Sequence, residues 1–370
     1  MINRLIGFVK KEAVLSAAFA LAVVSAFIVP PDKNYFEYID WNTLLLLYSL
    51  MAVMAGFQQL GVFSLVGESL LSKISNTRQM LMILVFLPFF FSMLITNDVA
   101  LITFVPFGLV VLNMAEREQL VIPLVVMQTI AANLGSMLTP MGNPQNLYLY
   151  AQSGMSPSYF VALMLPYSIT AAVCLFSAAF FIKNENIPRL ANTRGRKLDV
   201  KMFLCYAVGF LICLLCVAKV FGAIVAAVIV SLFLLVKNRP LFKKIDYSLL
   251  GTFICFFIFI GNMGRIDEFC AFLEGILIEH ESAVAIALSQ IISNVPAALL
   301  LSGFSRNWSA LIIGTNLGGL GTLIASMASL ISYKQVARRY PRLRAKYLLW
   351  FTAGNIAMLV VLVTVMLVMR

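Results

Sequence analysis

Apolar runs near the length of a bilayer-crossing helix recur from Ala13 to Met369, and no polar stretch between them is long enough to hold a water-soluble domain. A helix needs about 20 apolar residues to cross the hydrocarbon core. In lipid every backbone N–H and C=O must be satisfied within the chain, so each such run is a helix rather than a lone strand. Composition agrees, since 61% of the 370 residues are hydrophobic and 12% charged, against about 45–50% and about 25% in soluble domains. The sequence predicts an all-α polytopic membrane protein. Arg4, Lys10 and Lys11 precede the first run as in a signal peptide. No cleavage site and polar mature segment follow, so that run is read as the first span.

Composition also excludes several functions. The net charge of +11 fits the Lys and Arg excess of cytoplasmic loops rather than nucleic-acid binding. Cys213 and Cys216 form a CxxC inside an apolar helix, and with Cys174, Cys205, Cys255 and Cys270 they read as small core residues. His280 is the only histidine, which leaves no histidine metal site. An intramembrane aspartyl enzyme needs two carboxylates, and no Ser/His pair is visible. No cofactor is expected.

Plain spans are expected over Ala13 to Pro30, Asn42 to Leu60, Tyr159 to Ile182, Tyr247 to Asn262 and Tyr347 to Met369. Met202 to Val236 reads as two short spans with a turn near Lys219. Gly61 to Lys73 and Arg265 to Glu281 are amphipathic and suit the membrane surface. Gln79 to Asn113 is too long for one span and too short for two, and carries Thr96, Asn97 and Asp98 at its middle. A re-entrant hairpin with its tip at Asn97 fits. Ser282 to Phe304, split at Ser293, Asn294, Val295 and Pro296, reads the same way. Leu120 to Tyr150 and Trp308 to Val336 are expected to be broken helices, with breaks over Asn133 to Asn146 and Thr315 to Thr322. Such breaks survive only where protein or a water-filled cavity satisfies the freed backbone.

These features recur in one order. Ile39-Asp40-Trp41 and Ile245-Asp246-Tyr247 each open a span ending in glycine. An amphipathic stretch, a hairpin tip, an Asn-Leu-Gly break (Asn133 to Gly135, Asn316 to Gly318) and a plain span follow. The reading is two repeats, residues 1–182 and 202–370, the second preceded by an extra span and joined by a basic linker, 183–201. With both hairpins re-entrant there are about nine spans and a cytoplasmic N-terminus. All but Lys33, Lys219, Arg265, Arg306 and Arg370 of the 27 Lys and Arg residues then lie inside. Asp40 falls outside and Asp246 inside, so the repeats are inverted, a common construction of secondary transporters.

Asp98 is the only one of the 16 acidic residues in a membrane-embedded stretch. An intramembrane carboxylate is costly and points to function. It could ligate Na⁺, carry a proton or pair with a cationic substrate group, or it could cap the hairpin helix. Asn97 and Asn294 both donate and accept hydrogen bonds, and half-helix ends supply further polar groups. Gly135, Gly142, Gly318, Gly319 and Gly321 let backbone approach a ligand, or pack helices tightly. Thr139, Gln145 and Asn146 could be ligands or satisfy loosened backbone. The candidate set is completed by Asn133, Ser136, Asn143, Ser293, Pro296, Thr315, Asn316 and Thr322. Phe89, Phe90 and Phe91 read as packing or lipid-facing surface, and Lys334 to Lys346 as a topology signal.

Thr96-Asn97 and Ser293-Asn294 resemble the Ser-Asn-Thr motifs of the ion transporter superfamily. Its members include divalent-anion/sodium symporters, citrate–metal symporters, arsenite permeases and a class of sodium/proton antiporters. The runs Thr96 to Leu101 and Asn133 to Asn146 are most similar to short YbiR-type bacterial members. The resemblance implies a scaffold, a transport unit of hairpins and broken helices, an elevator-like movement, a homodimer, and a bacterial or archaeal cytoplasmic membrane. It further implies a cation site at Thr96, Asn97 and Asn143, beside Asp98, and a mirror site at Ser293, Asn294 and the 316–322 break, with substrate between. Asp98 and Val295 stand where dicarboxylate members have Thr. The function this implies is secondary transport of a small anion or oxyanion with Na⁺ or H⁺; a cation/proton antiporter using Asp98 and a passive channel are the alternatives.

Overall fold

The computed structural model describes residues 12–72, 74–187 and 198–369. Arg4, Lys10, Lys11, Lys73, Arg370 and residues 188–197 of the expected linker lie outside the described residues. The described chain is helical: α1 (Ala13–Ile28), α2 (Asn34–Glu37), α3 (Trp41–Leu60), α4 (Val62–Leu71), α5 (Thr77–Phe91) and α6 (Asn97–Met114) come first. Next are α7 (Val121–Ser136), α8 (Pro144–Ser153), α9 (Pro157–Phe180), α10 (Val200–Val217) and α11 (Ala223–Lys237). The rest are α12 (Tyr247–Met263), α13 (Asp267–Leu277), α14 (Glu281–Ile292), α15 (Asn294–Ser302), α16 (Trp308–Leu317), α17 (Met327–Arg339) and α18 (Arg344–Val368). Six helices are long and apolar enough to cross a membrane, and α12 with α13, bent by 105°, adds a seventh as a pair. The protein is thus a multi-pass membrane protein.

The caps explain where helices start. Asp40 and Asp246 accept hydrogen bonds from the backbone N–H of Thr43 (3.1 Å) and Leu249 (3.0 Å) and so open α3 and α12 alike. Gly61, at φ +74°, ends α3 and turns the chain into α4, a conformation glycine adopts without penalty. The first expected break is shorter than the polar run suggests, and the second is displaced along the chain. Helix α7 continues through Asn133 to Ser136, and α8 starts at Pro144, so only 137–143 is non-helical. Proline at the first helical position gives up an N–H that has no partner there, and Asn143 caps the turn by accepting from Asn146 N–H at 2.9 Å. Likewise α16 runs through Thr315 and Asn316, and the second gap is 318–326.

Helix pairing follows one scheme in both halves. α5 packs along α7 as α14 does along α16, and α6 lies on α17 as α15 lies on α8. α3 pairs with α11, and α12 with α1. At the end of the α1–α12 pair, Arg265 bonds Asp32 at 2.8 Å and holds that carboxyl below the usual carboxylate range. The first part of the expected linker is ordered: Thr77 N–H donates to Glu185 O (2.9 Å), and Ile187 N–H to Ser75 O (3.1 Å), against the start of α5.

Candidate substrate and ion site

Both hairpin tips dock on the gap of a broken helix through the same bond. Asn97 N–H donates to Gly142 O at 3.1 Å, and Asn294 N–H donates to Ala325 O at 2.9 Å. Each acceptor lies two residues before the helix that resumes there, α8 or α17. The gaps then cross-link. Asn143 Nδ2 donates to Asn316 Oδ1 (3.1 Å), and Ser326 Oγ donates to Asn133 Oδ1 (3.1 Å). Asn143 and Ser326 immediately precede α8 and α17, while Asn133 and Asn316 occupy the last turns of α7 and α16. The side chain at the start of each resumed helix therefore reaches the asparagine of the opposite half.

The carboxamides extend this network. Asn97 Nδ2 donates to Asn133 Oδ1 (3.0 Å), and Asn133 Nδ2 to Ser329 Oγ (3.3 Å). Asn316 Nδ2 donates to Asn146 Oδ1 (2.6 Å), and Ser136 Oγ accepts from Asn143 Nδ2 (3.3 Å). All these side chains except those of Ser326 and Ser329 were expected at the site, and all are buried. Burial of so many amides is tolerable only because they satisfy one another. Four helix starts, those of α6, α8, α15 and α17, meet here, and each carries a partial positive charge.

Beside this network lies a cavity of about 390 Å³. Its wall includes Thr96, Asp98, Gln58, Pro144 and Met327, and it reaches Lys244 and Asp246 at the start of α12. Asp98 is half-buried in the first turn of α6, where the helix dipole favours a negative charge. Among the described residues no hydrogen bond or ion pair holds its carboxylate.

A family model described as citrate transporter matches residues 5–305. The chain belongs to the citrate transporter family. It is 32% identical over 305 residues to an uncharacterized transporter of Methanocaldococcus jannaschii, covering 81% of this chain and 82% of the relative. With the inner membrane protein YbiR of Escherichia coli it shares 28% over 351 residues, 91% and 92% of the two chains. The putative transporter arsB of Dictyostelium discoideum matches at 28% over 193 residues, 50% of this chain and 34% of that one. Membership in the citrate transporter family makes the protein a membrane transporter and not an enzyme.

The remaining expected residues of this citrate transporter family member divide by what they touch. A Cβ at Gly142 would lie 2.0 Å from Ser136 O, so this glycine lets the gap fold onto α7. Gly319 and Gly318 lie against Asn294 Nδ2 and Ser289 Oγ. Thr139 Oγ1 donates to Met93 O, and Thr322 Oγ1 to Gln290 O (3.1 Å), so both threonines tie a gap to a hairpin backbone. Thr315 Oγ1 turns back to Leu311 O (2.7 Å), and Pro296 is buried in the first turn of α15. Gln145 is buried in the first turn of α8. Ser293 holds φ +78°, a left-handed value uncommon outside glycine, where α14 ends and α15 begins. Of the four residues expected around Na⁺, Thr96 and Asp98 share the cavity wall, whereas Asn143 Oδ1 caps α8 and Asn97 Oδ1 accepts Asp98 N–H at 3.0 Å.

Sequence reasoning missed Ser326, Ser329, Gln58, Gln290 and Tyr148. Ser326 was within reach, because the spacing from Asn133 to Asn316 carries Asn143 onto it. The registers expose a difference between the two sides. Cavity residue Ile331 corresponds to Tyr148 in that register, and cavity residues Leu47 and Met51 correspond to Phe253 and Phe257 in the register that pairs Asp40 with Asp246. There the rings pack together, with Tyr148 centroids 6.3 Å from Phe253 and 5.5 Å from Phe257, and Tyr148 OH lies 3.0 Å from Ser302 Oγ. The aromatic trio fills the position that the aliphatic trio leaves open. Replacing Tyr148→Ala removes the ring at the middle of that packing. A cysteine placed at Ser302 in a cysteine-free background should then react with a water-soluble thiol reagent about tenfold faster or more, since ~1.4 kcal/mol off the closed form is tenfold in population. Unchanged reactivity would show that Tyr148 does not close that side.

Proposed function

We propose that this protein is a secondary active transporter that moves a small anion or oxyanion across the cytoplasmic membrane, coupled to Na⁺ or H⁺. The observation that carries the reading is the meeting of four helix starts in one asparagine network. Helix N-termini favour anions, and carboxamides donate to oxyanion oxygens while accepting from any hydroxyl they carry. A central site at the junction of interrupted helices is the recurring arrangement of secondary transporters. Citrate, the substrate class in the family's description, is itself a small anion. On this reading Thr96 and Asp98 attract the coupling ion and the asparagines hold the substrate.

Positive-inside reasoning puts Lys244, Asp246 and the N-terminus in the cytoplasm, so the open cavity faces inward. Hairpins and broken helices then move as one body against α1, α3, α10, α11 and α12 in an elevator-like step, within a homodimer in the lipid bilayer. A second reading, cation/proton exchange through Asp98, is favoured by the carboxylate's lack of a bonding partner. Proteoliposomes under an imposed Na⁺ or pH gradient test both. Accumulation of citrate or a mineral oxyanion above its equilibrium level supports the anion carrier. Cation-driven proton flux without anion uptake selects the exchanger. Steady conductance far above carrier turnover sinks both in favour of a channel.

A further inference from the structure

Gln290, on the last full turn of α14, makes an unusual set of contacts. Its Nε2 donates to Gly318 O at 2.9 Å, to Leu320 O at 3.0 Å and to Ile286 O at 3.1 Å. Its Oε1 accepts Thr322 N–H at 2.9 Å, and its own carbonyl accepts Thr322 Oγ1 at 3.1 Å. The gap is shaped around this side chain: Gly321 has φ +102°, and a Cβ there would lie 2.3 Å from Gln290 Oε1. Two gap carbonyls, Gly318 O and Leu320 O, thus converge with Ile286 O of α14 on one point beside the unwound C-terminal end of α16, the negative end of its dipole. Convergent carbonyls at such an end are the ordinary means by which broken membrane helices hold a cation. Here the partly positive NH₂ of a carboxamide stands at that point.

The other half is built differently. The register that pairs Asn97 with Asn294 pairs Gln290 with Met93, which has no amide. Met137 O, the counterpart of Leu320 O, accepts from Asn146 Nδ2 at 3.3 Å, a group belonging to the central network. Asp98 is paired with Val295. One half therefore has a carboxylate on an open cavity, and the other has an apolar residue with a tethered donor among its carbonyls.

We propose that the Gln290 carboxamide is a resident substitute for a coupling cation at the second gap, so that the protein takes up at most one coupling ion per cycle, on the Asp98 side. The inference rests on the reading of the chain as an ion-coupled transporter. Its role there is to fix ion stoichiometry: the second gap is held folded at all times, and ion binding is left to the first.

The test is thermal unfolding of the full-length detergent-solubilised protein in sodium, potassium or choline chloride at equal ionic strength. Gln290→Glu replaces the donor with a carboxylate of nearly the same shape, and Gln290→Ala leaves the carbonyls unpaired. Both should gain a stabilisation by Na⁺ or K⁺ over choline beyond any that wild type shows, about 3–5 °C at saturating salt. Wild type should show a Hill coefficient no greater than one for any Na⁺ effect. Equal destabilisation of both variants in all three salts overturns the proposal and leaves Gln290 a plain brace. So does failure of both to fold in any salt, or a wild-type Hill coefficient above one. No transported substrate enters the measurement, so the carrier reading is judged separately in liposomes.

Discussion

Asp98→Asn should abolish gradient-driven accumulation, lowering the steady-state gradient of substrate at least about tenfold, while leaving the fold intact. The substitution keeps the shape and removes only the charge. The Asp98 carboxylate carries no hydrogen bond or ion pair among the described residues, so no folded-state partner of the side chain is lost. Stability should stay within about 0.5 kcal/mol of wild type, the usual range for a change that touches no structural contact. What disappears is the one carboxylate set in a hairpin tip beside the asparagine network. Without it the cavity wall keeps Thr96 and Gln58 but no charge at the network to hold Na⁺ or carry a proton. Exchange of substrate at equal concentrations should persist, because the network of Asn97, Asn133, Asn143, Asn146 and Asn316 is unaltered. The check is reconstituted uptake under an imposed gradient together with counterflow. Full accumulation by the variant at normal protein density would remove Asp98 from coupling and return its role to the helix start.

The architecture was legible where composition and lipid physics dictate it. Polar residues inside apolar runs have nowhere to go in a bilayer, so Thr96 to Asp98 and Ser293 to Pro296 marked interruptions, and the helices are interrupted there, α5 and α6 at 92–96 and α14 and α15 at Ser293. The asparagines at 97, 133, 143, 146 and 316 were legible for the same reason: a buried carboxamide needs partners, and several together imply a network. Helix limits were less so. Asn133 to Asn146 looked too rich in breakers to be helical, yet α7 and α8 leave only 137–143 outside. Pro144 sits at a helix start, where it breaks nothing, and Gly135 is admitted inside α7 because α5 presses on it. Gln290 was illegible because its partners are backbone carbonyls of a gap far along the chain, and carbonyls leave no trace in sequence. Tyr148 was missed because its meaning lies in a comparison of two sides, which needs the helix pairing.

The pairing also shows why the two halves diverge at particular places only. The bonds common to both are those that set backbone position: Asp40 and Asp246 as caps, and Asn97 and Asn294 on the gap carbonyls. Among the positions that differ are two on the cavity, Asp98 against Val295 and Ile331 against Tyr148, and one at the second gap, Gln290 against Met93. A repeat held in register by its caps can vary such side chains without disturbing the fold. The frame accordingly stays nearly symmetric while chemistry differs between the sides.

The strongest structural test of that frame is Gly135→Ala, which should destabilise the protein by about 3 kcal/mol or more, above the usual range for a small overpacking change. A Cβ at this position would lie 2.0 Å from Phe89 O and 2.7 Å from Ser92 Oγ. The hydroxyl can rotate away, but the carbonyl belongs to the backbone of α5 and cannot. Relief requires moving the end of α5 off α7. That end supplies Met93 O, which anchors Thr139, and leads into the Thr96–Asp98 tip, so displacement there also loosens the bond from Asn97 N–H to Gly142 O. The melting temperature should fall by about 5 °C or more, and Na⁺ or substrate should restore little of it, because the site itself is pulled apart. Gly222→Ala is the matched control: at φ −70° a Cβ there meets nothing within 4 Å, and its effect should stay inside about 0.5 kcal/mol. If Gly135→Ala melts with wild type while Gly222→Ala also does, α5 and α7 are not in the close contact described. The hairpin would then be free to move independently of the gap on which it docks.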